Sequence, residues 1–288
     1  MKIALIGYGK MGQLIHEIAT ERGHEVVCII DPNAQAQTLS PTLSLIGQGR
    51  DAIEKLREAD VAIEFTTPAT AAENIRMAWE QGVPVVSGTT GWSVEELSLD
   101  SRFYVRPNSS SSETDAPCVA PPTPTDPSAG TQLFLRNSIS APLASNDAGC
   151  PKENGIRLVD EKGKVWLVWK SNFSVGVNVF FELNQRLAAL LAEYGQYTPS
   201  ITETHHIHKL DKPSGTAVTL AEGIHSLPPY SSTPLPPIES IREGEVAGIH
   251  TVVWDSPEDT ITITHSAKSR RGFALGAVLA AEHLLVES

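Results

Sequence analysis

A glycine-rich turn near the start of the chain constrains the fold more than any other feature. The turn is Gly7-Tyr8-Gly9-Lys10-Met11-Gly12, a G-x-G-x-x-G pattern that follows a short apolar run at residues 2–6. Residues 11–22 have the apolar spacing of a helix. A second apolar run ends at Asp31, nineteen residues after Gly12. This order of strand, turn, helix, strand and acidic residue is typical of a dinucleotide-binding α/β unit.

Each part of this unit has a physical role in holding a dinucleotide. The glycines allow a tight turn and a close approach of the backbone, and the helix N-terminus attracts the pyrophosphate. The carboxylate of Asp31 would accept hydrogen bonds from the adenine ribose and would repel a 2′-phosphate, which favours NADH. Lys10 leaves NADPH open as the alternative. A glycine turn without a ligand is the competing interpretation.

Two later loops extend the predicted cofactor site. Phe65-Thr66-Thr67-Pro68 and Gly88-Thr89-Thr90-Gly91 each follow a predicted strand, and ligands of such sheets bind beyond the carboxyl ends of the strands. Their small and hydroxyl residues would permit close contact and hydrogen bonds to a carboxamide. The candidate cofactor residues from the turn and the loops are Gly7, Gly9, Lys10, Met11, Gly12, Asp31, Phe65, Thr66, Gly88, Thr89 and Thr90.

Apolar patterning predicts alternating strands and helices, which indicates a parallel α/β sheet. A second set of predicted elements follows in the C-terminal half, and its last helix is so apolar that we expect it to be buried. The predicted strands are residues 2–6, 25–30, 60–65, 83–87, 164–169, 200–206, 250–254 and 260–265, and the predicted helices are residues 11–22, 69–81, 177–194, 216–224 and 272–285.

Residues 107–130 interrupt this pattern. Pro, Ser and Thr occupy 14 of the 24 positions, so the segment cannot bury enough apolar surface to offset its ordering entropy. We expect a disordered or loosely held loop, which with its ambiguous flanks forms an insertion of about residues 98–162. Cys118 and Cys150 fall within it, and we expect both to be unpaired thiols at the surface.

Composition excludes several classes of protein. Lys and Arg number 22 against 34 Asp and Glu, a net charge of −12, which argues against nonspecific binding to nucleic acid or to an anionic membrane. The apolar runs are too short for a membrane span or a signal peptide. The three cysteines form neither a disulfide framework nor a metal cluster. We therefore expect a cytoplasmic protein without a metal site.

The densest cluster of reactive side chains has the sequence ETHHIHKLDKPSGTA and spans residues 203–217. Histidine is the usual general acid near neutral pH, and lysine suits a carboxylate or a developing anion. Ser214-Gly215-Thr216 begins a predicted helix, whose free N–H groups and hydroxyls form an anion site. The cluster fits a substrate with carboxylates and a reducible double bond. A metal site at His206 and His208 and a solvated strand end followed by a helix cap are the competing interpretations.

This cluster resembles the signature of the dihydrodipicolinate reductase family. Other matches occur in the order that the family has, and together they cover the chain except for about residues 98–162. These matches are Gly7 to Gly12, Glu64-Phe65-Thr66, Gly88-Thr89-Thr90-Gly91, residues 172–178, Arg242 with Gly244, and residues 265–277.

The resemblance implies an activity and roles for individual residues. NAD(P)H would deliver a hydride to the ring of a cyclic pyridine dicarboxylate, in lysine and diaminopimelate biosynthesis. His205 would be the general acid and Lys209 the stabilising or proton-donating cation. The residues implied to bind the substrate are His206, Ser214, Gly215 and Thr216, and those implied to line the cofactor near a domain hinge are Lys170, Ser171, Asn172 and Phe173.

The resemblance also implies a fold of two domains. Residues 1–172 would form a Rossmann-like, doubly wound dinucleotide-binding domain, which a C-terminal helix at 268–288 would complete. Residues 173–267 would form a smaller α+β domain that binds the substrate and forms a homotetramer through an open mixed sheet. Another NAD(P)H-dependent reductase of amino-acid metabolism and a non-catalytic dinucleotide-binding protein stay open as alternatives.

Four departures from the family pattern need an explanation. Ser200 stands three positions before Glu203, where the family signature usually opens with an acidic residue. Glu64 stands where the family commonly has Asp. Lys170 replaces a residue that is usually small and apolar. Gly91 and Asn172 are 81 residues apart, a distance that the family usually crosses with little more than a helix and a strand. An insertion here would cover the cleft, extend into solvent or disturb the tetramer.

Overall fold

The fold is built around an eight-stranded sheet. The computed structural model describes residues 1–31, 44–46, 54–97, 103–107 and 155–286. The strands of this sheet are β1 (Lys2–Ile6), β2 (Glu25–Ile30), β3 (Ser44–Ile46), β4 (Val61–Glu64), β5 (Val85–Ser87), β6 (Phe103–Pro107), β7 (Ile156–Asp160) and β8 (Val165–Trp169). They lie in the order β3-β2-β1-β4-β5-β8-β7-β6. Neighbours are parallel from β3 to β8, and β7 and β6 add antiparallel strands at one edge.

Helices cover both faces of this sheet. The helices in the described ranges are α1 (Lys10–Glu21), α2 (Pro68–Glu80), α3 (Val175–Leu191), α4 (Gly215–His225) and α5 (Arg271–Val286). Ile3 and Leu5 of β1 pack in one core with α1 and α5, whereas Ala4 and Ile6 pack in another core with α2. Strands that are buried on both faces must be apolar throughout, which explains the continuous apolar run of β1.

A second, mixed sheet forms from the C-terminal half of the chain. Its strands are β9 (Thr198–His205), β10 (Ile238–Arg242), β11 (Ile249–Asp255) and β12 (Thr260–Ser266), in the order β10-β9-β11-β12. Strand β10 runs parallel to β9, and the other two pairs are antiparallel. One face packs against α3 and α4 around the fully buried Trp254. The opposite face leaves Thr262 and Thr264 exposed.

The last helix, α5, returns to the first sheet. Ala277 and Ala281 are fully buried in the core that contains α1. A Cβ on Gly276 would lie 1.6 Å from the carbonyl oxygen of Phe173, so this helix also approaches the start of α3 closely. Glu282 accepts hydrogen bonds from Arg22 Nε and Nη2 at 2.8 Å, which ties α5 to the end of α1. No helix in the described ranges is long and apolar enough to cross a membrane.

The structure confirms the predicted α/β class and the second, mixed sheet. Each predicted strand and helix is present, with its ends within three residues of the expected positions. Strands β3, β6, β7 and β10 are not predicted. Strands β6 and β7 lie in the flanks of the expected insertion and pair with each other, so these flanks belong to the sheet. Residues 108–154, with most of the low-complexity segment, Cys118 and Cys150, lie outside the described residues.

Candidate active site

The glycine-rich turn is packed so tightly that only glycine fits at two of its positions. Gly7 has a positive φ of 92°, and a Cβ there would lie 2.2 Å from the carbonyl oxygen of Phe65. A Cβ on Gly12 would lie 2.2 Å from the carbonyl oxygen of Gly7. A Cβ on Gly9 would meet no atom of the described residues within 4 Å. The turn is therefore closed at Gly7 and Gly12 but open at Gly9, where its backbone can approach a ligand.

Asp31 lies just after β2 and holds the same turn. Its Oδ2 accepts a hydrogen bond from the N–H of Tyr8 at 2.6 Å. The N–H of Gly7 donates to the carbonyl oxygen of Ile30 at 2.8 Å, so two hydrogen bonds tie the turn to this strand. The half-buried carboxylate of Asp31 therefore lies beside the open part of the turn.

A fully buried carboxylate, that of Glu64 at the end of β4, organises the two threonine loops. Its Oε1 accepts hydrogen bonds from the N–H of Thr66 at 3.0 Å and from Thr89 Oγ1 at 2.8 Å, and the Thr66 hydroxyl donates to the same oxygen. Its Oε2 accepts from Ser87 Oγ at 2.6 Å. Because these donors follow two neighbouring strands, one carboxylate fixes the positions of both loops.

Two tryptophans hold the second of these loops from the other side. The indole N–H groups of Trp92 and Trp169 both donate to the carbonyl oxygen of Thr89, at 2.8 and 2.7 Å. Their rings pack edge to face with centroids 6.2 Å apart. Buried indole groups normally pair their N–H, and here both use one acceptor, which fixes the loop backbone.

A cleft of about 1050 Å³ joins these loops to the second sheet. The predicted site residues that line it are Lys10, Met11, Phe65, Gly88, Thr90, Ser171, Asn172, Phe173, His205, His206, Lys209, Ser214, Gly215 and Thr216. The predicted residues that are not among its lining residues are Gly7, Gly9, Gly12, Asp31, Thr66, Thr89 and Lys170. One cavity therefore contacts both the predicted cofactor residues and the predicted substrate residues.

On the second sheet, two histidines that line the cleft belong to a buried carboxylate–histidine cluster. Glu203 is fully buried, and its Oε1 accepts hydrogen bonds from the N–H of Ser214 at 3.0 Å and from Arg242 Nη2 at 3.1 Å. Its Oε2 lies 3.1 Å from His205 Nδ1 and 3.8 Å from His250 Nε2. The rings of the two histidines pack edge to face with centroids 5.0 Å apart.

These groups change one another's protonation. Burial alone would raise the pKa of Glu203, but hydrogen bonding from Ser214, Ser240 and Arg242 outweighs it and lowers the pKa to about 2. Burial lowers the pKa of His205, and the charge of Glu203 opposes this change. Burial also lowers the pKa of His250 to about 4, so this ring is neutral at physiological pH.

Arg242 also holds the loop that carries Lys209. Its Nη2 donates to the carbonyl oxygen of Asp211, and its Nε donates to that of Lys209 at 3.4 Å. The ammonium of Lys209 lies 2.7 Å from Asp211 Oδ1, and about a quarter of its side chain is exposed. Asp211 thus holds the ammonium of Lys209, a compact positive charge, at the edge of the cleft.

Helix α4 presents its N-terminus to the same cavity. Ser214 caps it, with Oγ accepting a hydrogen bond from the N–H of Ala217 at 3.3 Å. Thr216 Oγ1 lies 3.5 Å from Asn172 Nδ2, which links this helix to the segment after β8. A Cβ on Gly215 would meet no atom within 4 Å, so the first turn is open to a ligand. Free N–H groups at a helix N-terminus suit a carboxylate.

The structure also places His206 and His208, the pair that the competing metal interpretation uses. Their ring centroids are 6.1 Å apart, and His208 Nε2 lies 3.3 Å from the exposed Glu245. Among the described residues, the donor atoms that lie within 4.8 Å of one another belong instead to Glu203, His205 and His250.

Two sequence models of one family match the chain. One, described as the N-terminus of dihydrodipicolinate reductase, matches residues 1–102, and the other, described as its C-terminus, matches residues 176–288. The chain belongs to the dihydrodipicolinate reductase family. This confirms the resemblance that the sequence motifs indicate.

Relatives and a solved structure agree with the family assignment. A 4-hydroxy-tetrahydrodipicolinate reductase of Christiangramia forsetii is 36% identical, over 99% of this chain and 92% of its own length. One of Archaeoglobus fulgidus is 31% identical, over 98% of this chain and 93% of its own length. A dipicolinate-bound dihydrodipicolinate reductase from Paenisporosarcina sp. TG-14 has a TM-score of 0.62 at 19% identity, covering 100% of this chain and 95% of that chain. At that identity, the structural likeness supports the fold alone.

The structure shows the surroundings of two residues that depart from the dihydrodipicolinate reductase pattern. The carboxylate of Glu64 accepts hydrogen bonds from groups on two loops, and nothing in the structure explains why Glu stands here in place of Asp. Lys170 does not line the cleft, and its backbone N–H donates to the carbonyl oxygen of Ser87 at 3.2 Å. Burial and the charge of Arg157 lower the pKa of its side chain. The backbone of Lys170 therefore extends the β5–β8 pairing of the first sheet.

Several residues of this reductase site are not predicted from the sequence. Trp92 and Trp169 are aromatic residues beside a predicted loop and a predicted strand end, which is a weak signal. Glu203 opens the family signature, but its partners Arg242 and His250 lie 39 and 47 residues further along the chain. Only the pairing of β9 with β10 and β11 brings these three together.

Proposed function

We propose that the protein catalyses the NAD(P)H-dependent reduction of 4-hydroxy-tetrahydrodipicolinate to tetrahydrodipicolinate, in lysine and diaminopimelate biosynthesis. The observation that carries the proposal is the single cleft lined by residues of the glycine turn and by the histidine-rich cluster. Family membership and the relatives named 4-hydroxy-tetrahydrodipicolinate reductase support it. The reaction removes one water and adds one hydride and one proton.

The first sheet provides the cofactor side of the site. The open backbone at Gly9 and the start of α1 suit a pyrophosphate, and the loops around Thr66 and Thr89 suit a carboxamide. When bound, NAD(P)H supplies the hydride. The carboxylate of Asp31 beside the turn favours NADH, because it would repel a 2′-phosphate. Residues 170–173 connect this side to α3 and the substrate side.

The second sheet provides the substrate side. The N-terminus of α4, with Ser214, Gly215 and Thr216, would bind one carboxylate of the cyclic substrate. His206 and Lys209 line the cleft as cationic or hydrogen-bonding partners. His205 would donate the proton from its cleft-facing nitrogen, and Lys209 would stabilise the anion that forms.

We also propose separate roles for two parts of the chain and a homotetrameric assembly. Residues 1–172 with the helix at 268–288 would bind the cofactor, because α5 packs in the core of the first sheet. Residues 173–267 would bind the substrate and form a cytoplasmic homotetramer through the open face of the second sheet. A mass of four chains in light scattering is expected, and a monomer would contradict this part of the proposal.

A coupled assay tests the activity. Dihydrodipicolinate synthase would make the unstable substrate in situ from pyruvate and aspartate semialdehyde, and oxidation of NADH and of NADPH would be followed separately. We expect synthase-dependent oxidation, with kcat/KM for NADH at least equal to that for NADPH. Folded protein that binds NADH but oxidises neither cofactor would favour the alternatives, a reductase of another substrate or a non-catalytic binding protein.

Variants test the site assignment. His205→Ala and Lys209→Ala are expected to lower kcat/KM by at least about a hundredfold, the typical contribution of a general acid. His283→Ala and Lys162→Ala, at exposed positions away from the cleft, are matched controls that should keep full activity. Full activity in both site variants would show that the assignment is wrong.

A further inference from the structure

The carboxylate of Glu203 has one oxygen that the proposed mechanism leaves unused. Oε1 is occupied by Ser214 N–H and by the Arg242 guanidinium. Among the described residues, Oε2 has no hydrogen-bond partner, although His205 Nδ1 lies 3.1 Å away. That nitrogen is buried and also has no partner in the described part of the chain. Since buried polar groups are almost always paired, a small rotation of the ring would join these two atoms.

The other nitrogen of the same ring lies on the side of the cleft. A Cβ on Gly248 would lie 3.1 Å from His205 Nε2, and Gly248 lines the cleft together with His205. One edge of the imidazole therefore faces the buried carboxylate, and the other faces the space where the substrate would bind.

We propose that Glu203 is a positioning residue for His205: its Oε2 accepts the Nδ1–H bond, turns Nε2 toward the cleft and stabilises the imidazolium that donates the proton. In the neutral ring, the carboxylate keeps the proton on Nδ1 and leaves Nε2 as the basic nitrogen. When the ring gains a second proton, that proton is on Nε2, from which it passes to the substrate. The Glu203 carboxylate stays ionised throughout.

A metal ion is the competing explanation for the same three groups, Glu203, His205 and His250. The Arg242 guanidinium lies 3.1 Å from the carboxylate and already balances its charge. A cation placed beside the free oxygen would also be repelled by this guanidinium. A proton shared between Glu203 and the neutral imidazole brings no additional positive charge into the cluster. The surroundings therefore favour a proton over a metal ion.

Among the charged groups around His205, Glu203 is expected to have the largest effect on the acidity of this ring. It is a fully buried carboxylate in contact with the ring, whereas Asp211, the other carboxylate, is exposed on a loop. The titratable and charged groups that face His205 from the surrounding elements are Glu203 on β9, Lys209 and Asp211 on the following loop, Arg242 on β10 and His250 on β11. The two cations disfavour the imidazolium, so loss of Glu203 would leave them unopposed.

The pH profile of kcat/KM measures this effect, and it rests on the proposed function. Activity is expected to fall as the pH rises through the pKa of His205, because the acid then loses its proton. Glu203→Gln removes the charge, and the midpoint of the fall should move to a pH lower by roughly 1 to 3. At a pH above both midpoints, kcat/KM of Glu203→Gln should be lower than that of the wild type, by about tenfold for every pH unit that separates the two midpoints. Glu203→Asp keeps the charge and should restore most of the profile.

Glu245→Gln provides a matched control. Glu245 is exposed and lies 3.3 Å from His208 Nε2, so the same substitution removes a carboxylate from a histidine outside the cluster. Its profile should coincide with that of the wild type. A Glu203→Gln variant that is folded and has the wild-type profile would overturn the proposal.

The tautomer of His205 gives a readout that does not depend on activity. Nitrogen chemical shifts of ¹⁵N-histidine protein, assigned by the signal lost in His205→Gln, should show a proton on Nδ1 of the neutral ring. A proton on Nε2 instead would overturn the proposal, even if Glu203→Gln failed to fold. One equivalent of Zn²⁺ bound in calorimetry by the wild type but not by Glu203→Gln would assign the cluster to a metal and also overturn it. Full activity in His205→Ala would refute the site assignment, whereas the tautomer would still report on Glu203.

Discussion

Two serines cap helices with the same geometry, and only one of them also contacts the histidine cluster. Ser174 begins α3 and Ser214 begins α4, and each side chain accepts a backbone hydrogen bond at 3.3 Å. Both residues are buried. Ser214 Oγ is also hydrogen-bonded to His250 Nε2 at 3.2 Å. A comparison of variants at the two serines therefore separates the contribution of a helix cap to stability from that of the contact with His250.

The magnitudes follow from these contacts. Loss of a serine cap costs about 1 kcal/mol, so Ser174→Ala should lower the free energy of unfolding by roughly 0.5–2 kcal/mol. Ser214→Ala loses a cap of the same geometry and also leaves buried His250 without this partner, which costs a further ~1–3 kcal/mol. We expect a total of about 2–4 kcal/mol, a large part of the typical ~5–15 kcal/mol of a folded protein.

Urea unfolding followed by tryptophan fluorescence would measure both losses. Steady-state assays should show a raised KM for substrate in Ser214→Ala and little change in Ser174→Ala, because only α4 presents its N-terminus to the substrate side. Equal losses of stability in the two variants would refute the reasoning, since they would show that the contact with His250 contributes nothing. A KM raised equally in both would refute the assignment of α4 to the substrate.

Three further predictions concern the cofactor half. Gly12→Ala should weaken NADH binding in calorimetry by at least about tenfold, because its Cβ would lie 2.2 Å from the Gly7 carbonyl oxygen and displace the turn (about 1.4 kcal/mol per tenfold); wild-type affinity would contradict this. Asp31→Asn should lower the ratio of kcat/KM for NADH to that for NADPH, and an unchanged ratio would remove Asp31 from cofactor selection. Glu282→Gln should lower the free energy of unfolding at pH 7, because a hydrogen bond from Arg22 holds the pKa of Glu282 down at about 2. This stabilisation is present above pH 4.5 and is lost as the pH falls toward 2, so urea titrations should show the variant and the wild type converging over that range.

Five of the eight strands of the first sheet and its glycine-rich turn could be predicted from the sequence, because their determinants are local. Strands buried on both faces are written as continuous apolar runs, as in β1 and β2. The close approach of Gly12 to the carbonyl oxygen of Gly7 lies within the glycine-rich turn itself. Such features can be recognised from residues that are adjacent in the sequence.

Strand β10 escapes prediction because its determinants are not local. It is a five-residue edge strand with the sequence IESIR after a proline-rich loop, and its burial alternates only between half-buried and exposed. Its parallel partner β9 lies more than thirty residues earlier. The clamp of Arg242 on Glu203 depends on this pairing, so the centre of the substrate half could not be assembled from spacing alone.

The two buried carboxylates show how one fold prepares two sides of a cleft for ligands of different charge. Glu64 ends a strand of the first sheet, and the hydrogen-bond partners described for it are hydroxyls and a backbone amide. These dipoles hold the loops without adding a cation, which suits a neutral carboxamide. Glu203, on the second sheet, is paired with a guanidinium and faces two imidazoles. Around it the cleft gathers positive charge and proton donors, as a dianionic substrate that must gain a proton requires. Removing the charge of Glu203 should therefore change the pH profile and the KM for substrate. A substitution of Glu64 should instead act first on the affinity for the nicotinamide cofactor.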